Sequence, residues 1–302
     1  MNRNDIFIRD PFILVSNGMY YLYGTRSATC WGPANGFDVY TSKDLVEFDG
    51  PFEIFHKPEG FFATSSYWAP ECYEINGKFY LLATFGSDTQ KKGAFILKSD
   101  SPLGPFVPYS QRLTPENWTC IDGTLYFEND EPYLIFSHSF EDVLDPNCKD
   151  ASYLGDFCII KLNSDLTQAV SEPSVLFCAK DAAFAKPVPF GKAEFGVEED
   201  IYFSDGPFLM KLNDEKLHMI FSSWSNNGYA VGAATSENGV MGPWKLQELP
   251  FYPEDGGHGM FFKDLDQQLI FTLHNPNTKY HEHPAFYHFL LEDGDLKLGQ
   301  AL

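Results

Sequence analysis

Apolar residues along this chain gather in short runs, each broken by Gly, Pro, Asn or Asp, and the runs come in sets. A first run opens from a polar or small residue: Asp10-Pro11-Phe12-Ile13-Leu14, Ala69-Pro70-Glu71-Cys72-Tyr73, Asp122 to Phe127, Asp205 to Met210, and His258 to Phe262. A turn follows at Ser16-Asn17-Gly18, Asn76-Gly77, Asn129-Asp130, Asn213-Asp214 and Asp264 to Asp266. A second apolar run comes next, at 19–25, 78–85, 132–138, 216–223 and 268–274. Asn-Gly between two apolar runs is the strongest short hairpin signal, because its turn needs positive φ at both central residues. A third run completes each set, at 36–48, 93–106, 155–170, 228–244 and 285–298. No 3.6-residue period of helical length competes with this pattern.

Five units of three or four short strands cannot each bury both faces alone. Packed radially they cover one another and leave only short edges, which predicts an all-β, five-bladed β-propeller as a single domain over 1–302. The opening run of each unit is the most apolar, so it is expected innermost. Its first residues would then form a ring about the axis: Asp10, Ala69, Asp122, Asp205 and His258. A β-sandwich with accidental periodicity is the competing fold.

Composition agrees with sheet: 29 Phe, 16 Tyr and 5 Trp suit pleated, half-buried surfaces. The formal net charge of −21 disfavours nucleic acid, anionic membranes and strongly acidic substrates, leaving a neutral substrate or a purely solubilising role for the charge. The N-terminal stretch lacks the apolar core of a signal peptide, and no run approaches membrane-spanning length. The six cysteines show neither C-x-x-C nor zinc spacing. Free thiols fit a cytoplasmic protein.

Aspartate is depleted in strands, and a buried unpaired carboxylate is costly. Asp before Gly or Pro often just caps a turn, but three at matching positions, Asp10, Asp122 and Asp205, suggest chemistry. Glycoside hydrolysis needs one ionised carboxylate to activate water and one protonated carboxyl to protonate the leaving oxygen. A third acid nearby raises its neighbour's pKa by charge repulsion. Trp68, beside Ala69, and Trp31, in a Gly/Pro/Asn loop, offer flat faces for sugar rings; for Trp31 ordinary core packing is an equal reading.

Five segments then resemble glycoside hydrolase family 43, in that family's order: Ile8-Arg9-Asp10-Pro11-Phe12, Trp68-Ala69-Pro70-Glu71, Cys120-Ile121-Asp122-Gly123, Ser204-Asp205-Gly206-Pro207-Phe208 and Gly257-His258-Gly259. The resemblance implies a five-bladed propeller and inverting hydrolysis of α-L-arabinofuranosides or β-D-xylosides. It makes Asp10 the general base, Asp122 the residue that orients and tunes the proton donor, and Asp205 the general acid. Trp68 becomes a sugar-contacting aromatic, Trp31, Glu71 and His258 join it as substrate-binding candidates, and His258 also lies where members hold an axial calcium or sodium ion. One position departs: the family usually has Glu where this chain has Asp205, one methylene shorter. The acid is then Asp205 with a shifted backbone, or another carboxylate (Glu71 or the Glu198-Glu199-Asp200 run), or it is lost and the protein only binds sugar. A retaining fructosidase-like propeller hydrolase is a further reading.

Other clusters carry less. His281 and His283 would share a strand face but lack a third metal ligand, and read as a surface loop. Glu254-Asp255 and the acidic stretch from Glu141-Asp142 to Asp150 read as solvated loops.

Overall fold

The computed structural model describes residues 1–302. Its twenty strands form five four-stranded antiparallel sheets, each in sequence order. Blade 1 holds β1 (Ile8–Ser16), β2 (Met19–Arg26), β3 (Gly36–Ser42) and β4 (Phe48–His56). Blade 2 holds β5 (Ser65–Ile75), β6 (Lys78–Gly86), β7 (Gly93–Ser99) and β8 (Val107–Pro108). Blade 3 holds β9 (Cys120–Glu128), β10 (Glu131–His138), β11 (Asp156–Lys161) and β12 (Ser174–Cys178). Blade 4 holds β13 (Asp205–Lys211), β14 (Leu217–Ser225), β15 (Gly228–Ser236) and β16 (Lys245–Leu246). Blade 5 holds β17 (Gly257–Lys263), β18 (Leu269–Asn275), β19 (His283–Glu292) and β20 (Asp295–Ala301). The innermost strands pack blade against blade around a closed circle, with β1 touching both β5 and β17. This is a five-bladed propeller with the opening runs at its centre, and it removes the β-sandwich alternative.

The first hairpins form where the turn residues predict. Asn17-Gly18, Asn76-Gly77 and Asn129-Asp130 all take positive φ, as a two-residue type I′ connection requires. The aromatic excess fills the spaces between blades. Phe85 of blade 2, fully buried, meets Tyr67 edge-on at 4.8 Å and packs on Phe37 and Phe55 of blade 1. Phe157, Phe177 and Phe221 do the same between blades 3 and 4, with centroids 5.0–5.2 Å apart.

Every innermost strand carries a bulge near its start. In β1 the register slips between Arg9 and Phe12, and equivalent slips follow Trp68, Ile121, Asp205 and Gly257. The residue after each of these is in the left-handed region: Asp10 (φ 54°), Ala69 (47°), Asp122 (56°), Gly206 (50°) and His258 (47°). The structure therefore corrects the expected ring by one residue in blade 4, where Gly206, and not Asp205, is the counterpart of Asp10 and Asp122. A side chain at 206 has no room: a Cβ there would lie 2.7 Å from His258 Cγ.

Candidate active site

The bulges create two stacked rings. The inner ring (Asp10, Ala69, Asp122, Gly206, His258) is buried at the axis. The residues one position earlier (Arg9, Trp68, Ile121, Asp205) are partly exposed and line a cavity of about 450 Å³. Asp10, Asp122 and His258 close its floor, so the three aspartates do converge on one solvent-reachable cavity, from two levels.

A second repeat fastens the inner ring. The second strand of each blade ends in a small polar residue or histidine opposite the bulge: Thr25, Thr84, Ser137, Ser222 and His274. Each is placed to take the bulge N–H of the next blade. Ala69 N–H donates to Thr25 Oγ1 (2.8 Å), Asp122 N–H to Thr84 Oγ1 (3.1 Å), His258 N–H to Ser222 Oγ (2.8 Å) and Asp10 N–H to His274 Nδ1 (3.2 Å). Blade 4 breaks the rule. Gly206 N–H donates to Asp122 Oδ2 (3.1 Å), and Ser137 Oγ is left buried without a partner. These polar ends of the second runs are themselves a repeat in the sequence, one that the apolar pattern does not mark.

Asp10 is held as an anion. Its Oδ2 accepts from Thr25 Oγ1 at 2.6 Å, and its Oδ1 lies 3.3 Å from His258 Nδ1 and 3.5 Å from His274 Nδ1. Burial alone would raise its pKa, but the His258 and Arg9 cations, with the Thr25 hydroxyl, outweigh this and depress it below the usual carboxylate value. His258 Nδ1 also lies 3.4 Å from Asp122 Oδ2. Burial works against its charge, yet Asp122 and Asp10 push the imidazole up to about 10, so it is a cation between two carboxylates. Asp205 is driven the other way. Burial first, then the charge of Asp122, raises it to about 7. Tyr229 donates to Asp205 Oδ2 at 3.0 Å, leaving Oδ1 as the oxygen able to carry a proton. The Tyr229 ring lies on His274 (5.7 Å, 21°) and against Gly257, where a Cβ would come within 2.2 Å of it.

The remaining expectations divide. Trp68 and Trp31 line the cavity, packed at 6.1 Å and 61° to each other; Trp31 is 50% exposed and is no core aromatic. Glu71 is buried but does not line the cavity. Its carboxyl accepts from the Tyr73 hydroxyl, and burial raises it to about 8. Glu198, Glu199 and Asp200 are exposed and outside the lining. Neither alternative therefore reaches the cavity that Asp205 lines. Glu282, expected in a surface loop with His281 and His283, is fully buried and pairs with Arg9 at 2.8 Å. Arg9 Nη1 also donates to Asn277 Oδ1 (2.8 Å), and the guanidinium lies 5.2 Å from the Trp31 ring centroid. The acidic stretch after blade 3's first hairpin is not simply solvated. Asp142 is 1% exposed, takes Thr119 N–H and Oγ1, and meets Lys91 (2.8 Å) and His138 (2.9 Å). Beside it, Glu141 lines the cavity, clasped by Lys92 at 2.6 Å.

An axial calcium or sodium ion finds few protein donors. His258 Nδ1 faces Asp10 and Asp122, and those carboxylates are taken up by Thr25 and Gly206. Calcium takes roughly six to eight oxygen ligands, waters among them, so His258 Nε2 is the protein atom that would hold such an ion, with water completing its shell. The cluster in which three ligand-type side chains approach within 4.8 Å lies elsewhere, at His138, Asp142 and Cys148, and there Lys91 already neutralises Asp142.

Comparison with known proteins agrees with this geometry. The model of glycosyl hydrolases family 43 matches residues 4–292. The extracellular exo-α-(1→5)-L-arabinofuranosidase of Cellvibrio japonicus is 23% identical over 234 residues, 72% of this chain and 58% of that protein. The extracellular endo-α-(1→5)-L-arabinanase 2 of Bacillus subtilis is 22% identical over 285 residues, 86% of this chain and 54% of that one. This chain thus spans a little over half the length of those two relatives. Among solved structures, the endo-arabinase from Bacteroides thetaiotaomicron superposes with a TM-score of 0.83 at 33% identity, covering 98% of both chains. With its five blades, its two-level acidic cavity and a family match over nearly its whole length, the chain belongs to glycosyl hydrolases family 43.

Proposed function

We propose that this chain is an inverting glycoside hydrolase acting on α-L-arabinofuranosidic or β-D-xylosidic bonds of plant-type oligosaccharides. The observation that carries the reading is the opposite tuning of two carboxyls in one cavity: Asp10 held ionised, and Asp205 raised to about 7. Asp10 takes a proton from water, whose oxygen attacks the anomeric carbon. As the glycosidic bond breaks, Asp205 gives the proton on Oδ1 to the leaving oxygen. Asp122 supplies the charge that keeps Asp205 protonated, and Gly206 N–H and His258 hold Asp122 in place. All these steps use side chains of this chain. The arabinofuranosidase and arabinanase activities in the relatives' names favour arabinose-containing substrates. A cytoplasmic site of action is part of the proposal, supported by six unpaired cysteines.

The test is a panel of aryl arabinofuranosides, xylosides and galactosides, with the first-formed product anomer followed by NMR. Inversion is expected, and Asp10→Asn should abolish turnover with the fold intact. Retention, or near wild-type kcat in Asp10→Asn, would remove the assignment; sugar binding with no turnover of any glycoside would favour a non-catalytic propeller. With substrate, kcat/KM should fall as pH rises through about 7, where Asp205 loses its proton, and fall again in acid, where Asp10 gains one.

A further inference from the structure

The Asp205 side of the cavity is walled by aromatic side chains that none of these steps uses. Phe203 stands two residues before Asp205; Trp224 stands two beyond Ser222, which pairs with Asp205. Phe190 packs edge-on against both, at 5.8 Å and 83° from Trp224 and at 6.2 Å and 66° from Phe203. All three line the cavity, and Phe190 is 38% exposed. Phe190 and Phe203 belong to the link between blades 3 and 4, residues 179–204, far longer than the other blade links at 57–64, 109–119 and 247–256. The link is tied down beside the wall: Lys186 N–H donates to Trp224 O and Val188 N–H to Ile201 O, both at 2.8 Å.

The reaction says what such a wall is for. In a single displacement the attacking water and its base lie on one face of the sugar, and the acid and leaving group lie on the other. Asp10 belongs to the inner ring and Asp205 to the outer one, so the leaving group lies towards the mouth, on the Asp205 side. The opposite side, at Trp31, carries the cationic donors Arg9 and Lys279, suited to hydroxyl-rich groups. We propose that Phe190, Phe203 and Trp224 form the leaving-group site, and that it takes a ring presenting a flat apolar face, either the C–H face of a second sugar or an aryl aglycone. The proposal rests on Asp205 being the acid.

The experiment compares kcat/KM for three glycosides of whichever sugar is accepted: the methyl glycoside, the benzyl glycoside and the disaccharide. Methyl and benzyl alcohols are similarly poor leaving groups, so a difference between them reports binding of the ring. Stacking of this kind predicts about a tenfold advantage for a ring, and its collapse in both Phe190→Ala and Trp224→Ala. An advantage confined to the benzyl compound identifies an aryl group; one shared by the disaccharide identifies a sugar. Equal rates for all three, or a preference that survives both substitutions, overturns the proposal. If nothing is hydrolysed, the catalytic reading fails separately. Quenching of tryptophan fluorescence then decides the site: stronger binding of the benzyl than the methyl glycoside supports it, and equal binding overturns it.

Discussion

The chemistry depends on giving identical carboxyl groups different proton affinities. Asp10 and Asp205 differ because one faces cations and a hydroxyl while the other faces a carboxylate. Tyr229 is one lever on this difference, since its hydroxyl stabilises ionised Asp205. Removing it in Tyr229→Phe should move the alkaline limb of the kcat/KM profile upward and free the proton to sit on either oxygen. The loss in kcat should then be larger for poor leaving groups than for activated aryl glycosides. An unmoved limb would show that Tyr229 only packs. Beside this network Arg9 pairs with the buried Glu282, and the sequence offered no cue that Glu282 would be inside.

At the level of the strand, the site comes from one bulge repeated in every blade. The bulge turns two successive side chains towards the axis where a regular strand would send them to opposite faces. Each bulge leaves an N–H that has to be satisfied, and in four of the five blades the second strand of the preceding blade supplies the acceptor. Thr84→Val should therefore cost roughly 1–3 kcal/mol, because it strands the Asp122 N–H. Ser137→Ala, at the equivalent place, removes a hydroxyl that bonds to nothing and should be near neutral or slightly stabilising. Urea unfolding of the two variants checks the contrast; equal losses would mean that the rung is not what stabilises the bulge.

For the molecule as a whole, a proton affinity raised on folding must appear in stability. The ordinary Asp205 value of 3.8 rises to about 7 in the fold, so the folded state holds a proton that the unfolded chain has lost. This contribution is complete below 3.8 and is lost as pH climbs through about 7. Asp205→Asn has no such dependence. Its melting temperature relative to the parent should rise between pH 4 and pH 8, and a constant difference would show that Asp205 is not raised. The charge of −21 acts on the same scale, by self-repulsion spread over the surface.

Much of this was legible without coordinates. Five sets of apolar runs and the Asn-Gly turns are local patterns, and local sterics decide hairpins, so blade number and hairpin positions could be read directly. Asp10, Asp122, Asp205, Trp68 and His258 were found because they sit beside those runs. The level at which Asp205 stands was decided only in three dimensions. A bulge shifts register by one residue, and the lack of room beside His258, which demands Gly206, involves an atom from another blade. The same holds for the burial of Glu282 and Asp142, and for the aromatic wall from the long link. Charge neutralisation by Arg9 or Lys91, and contact between Phe190 and Trp224, join residues far apart in the chain. Periodicity records which face a side chain takes within its strand; which partner waits there depends on how the blades close around the axis.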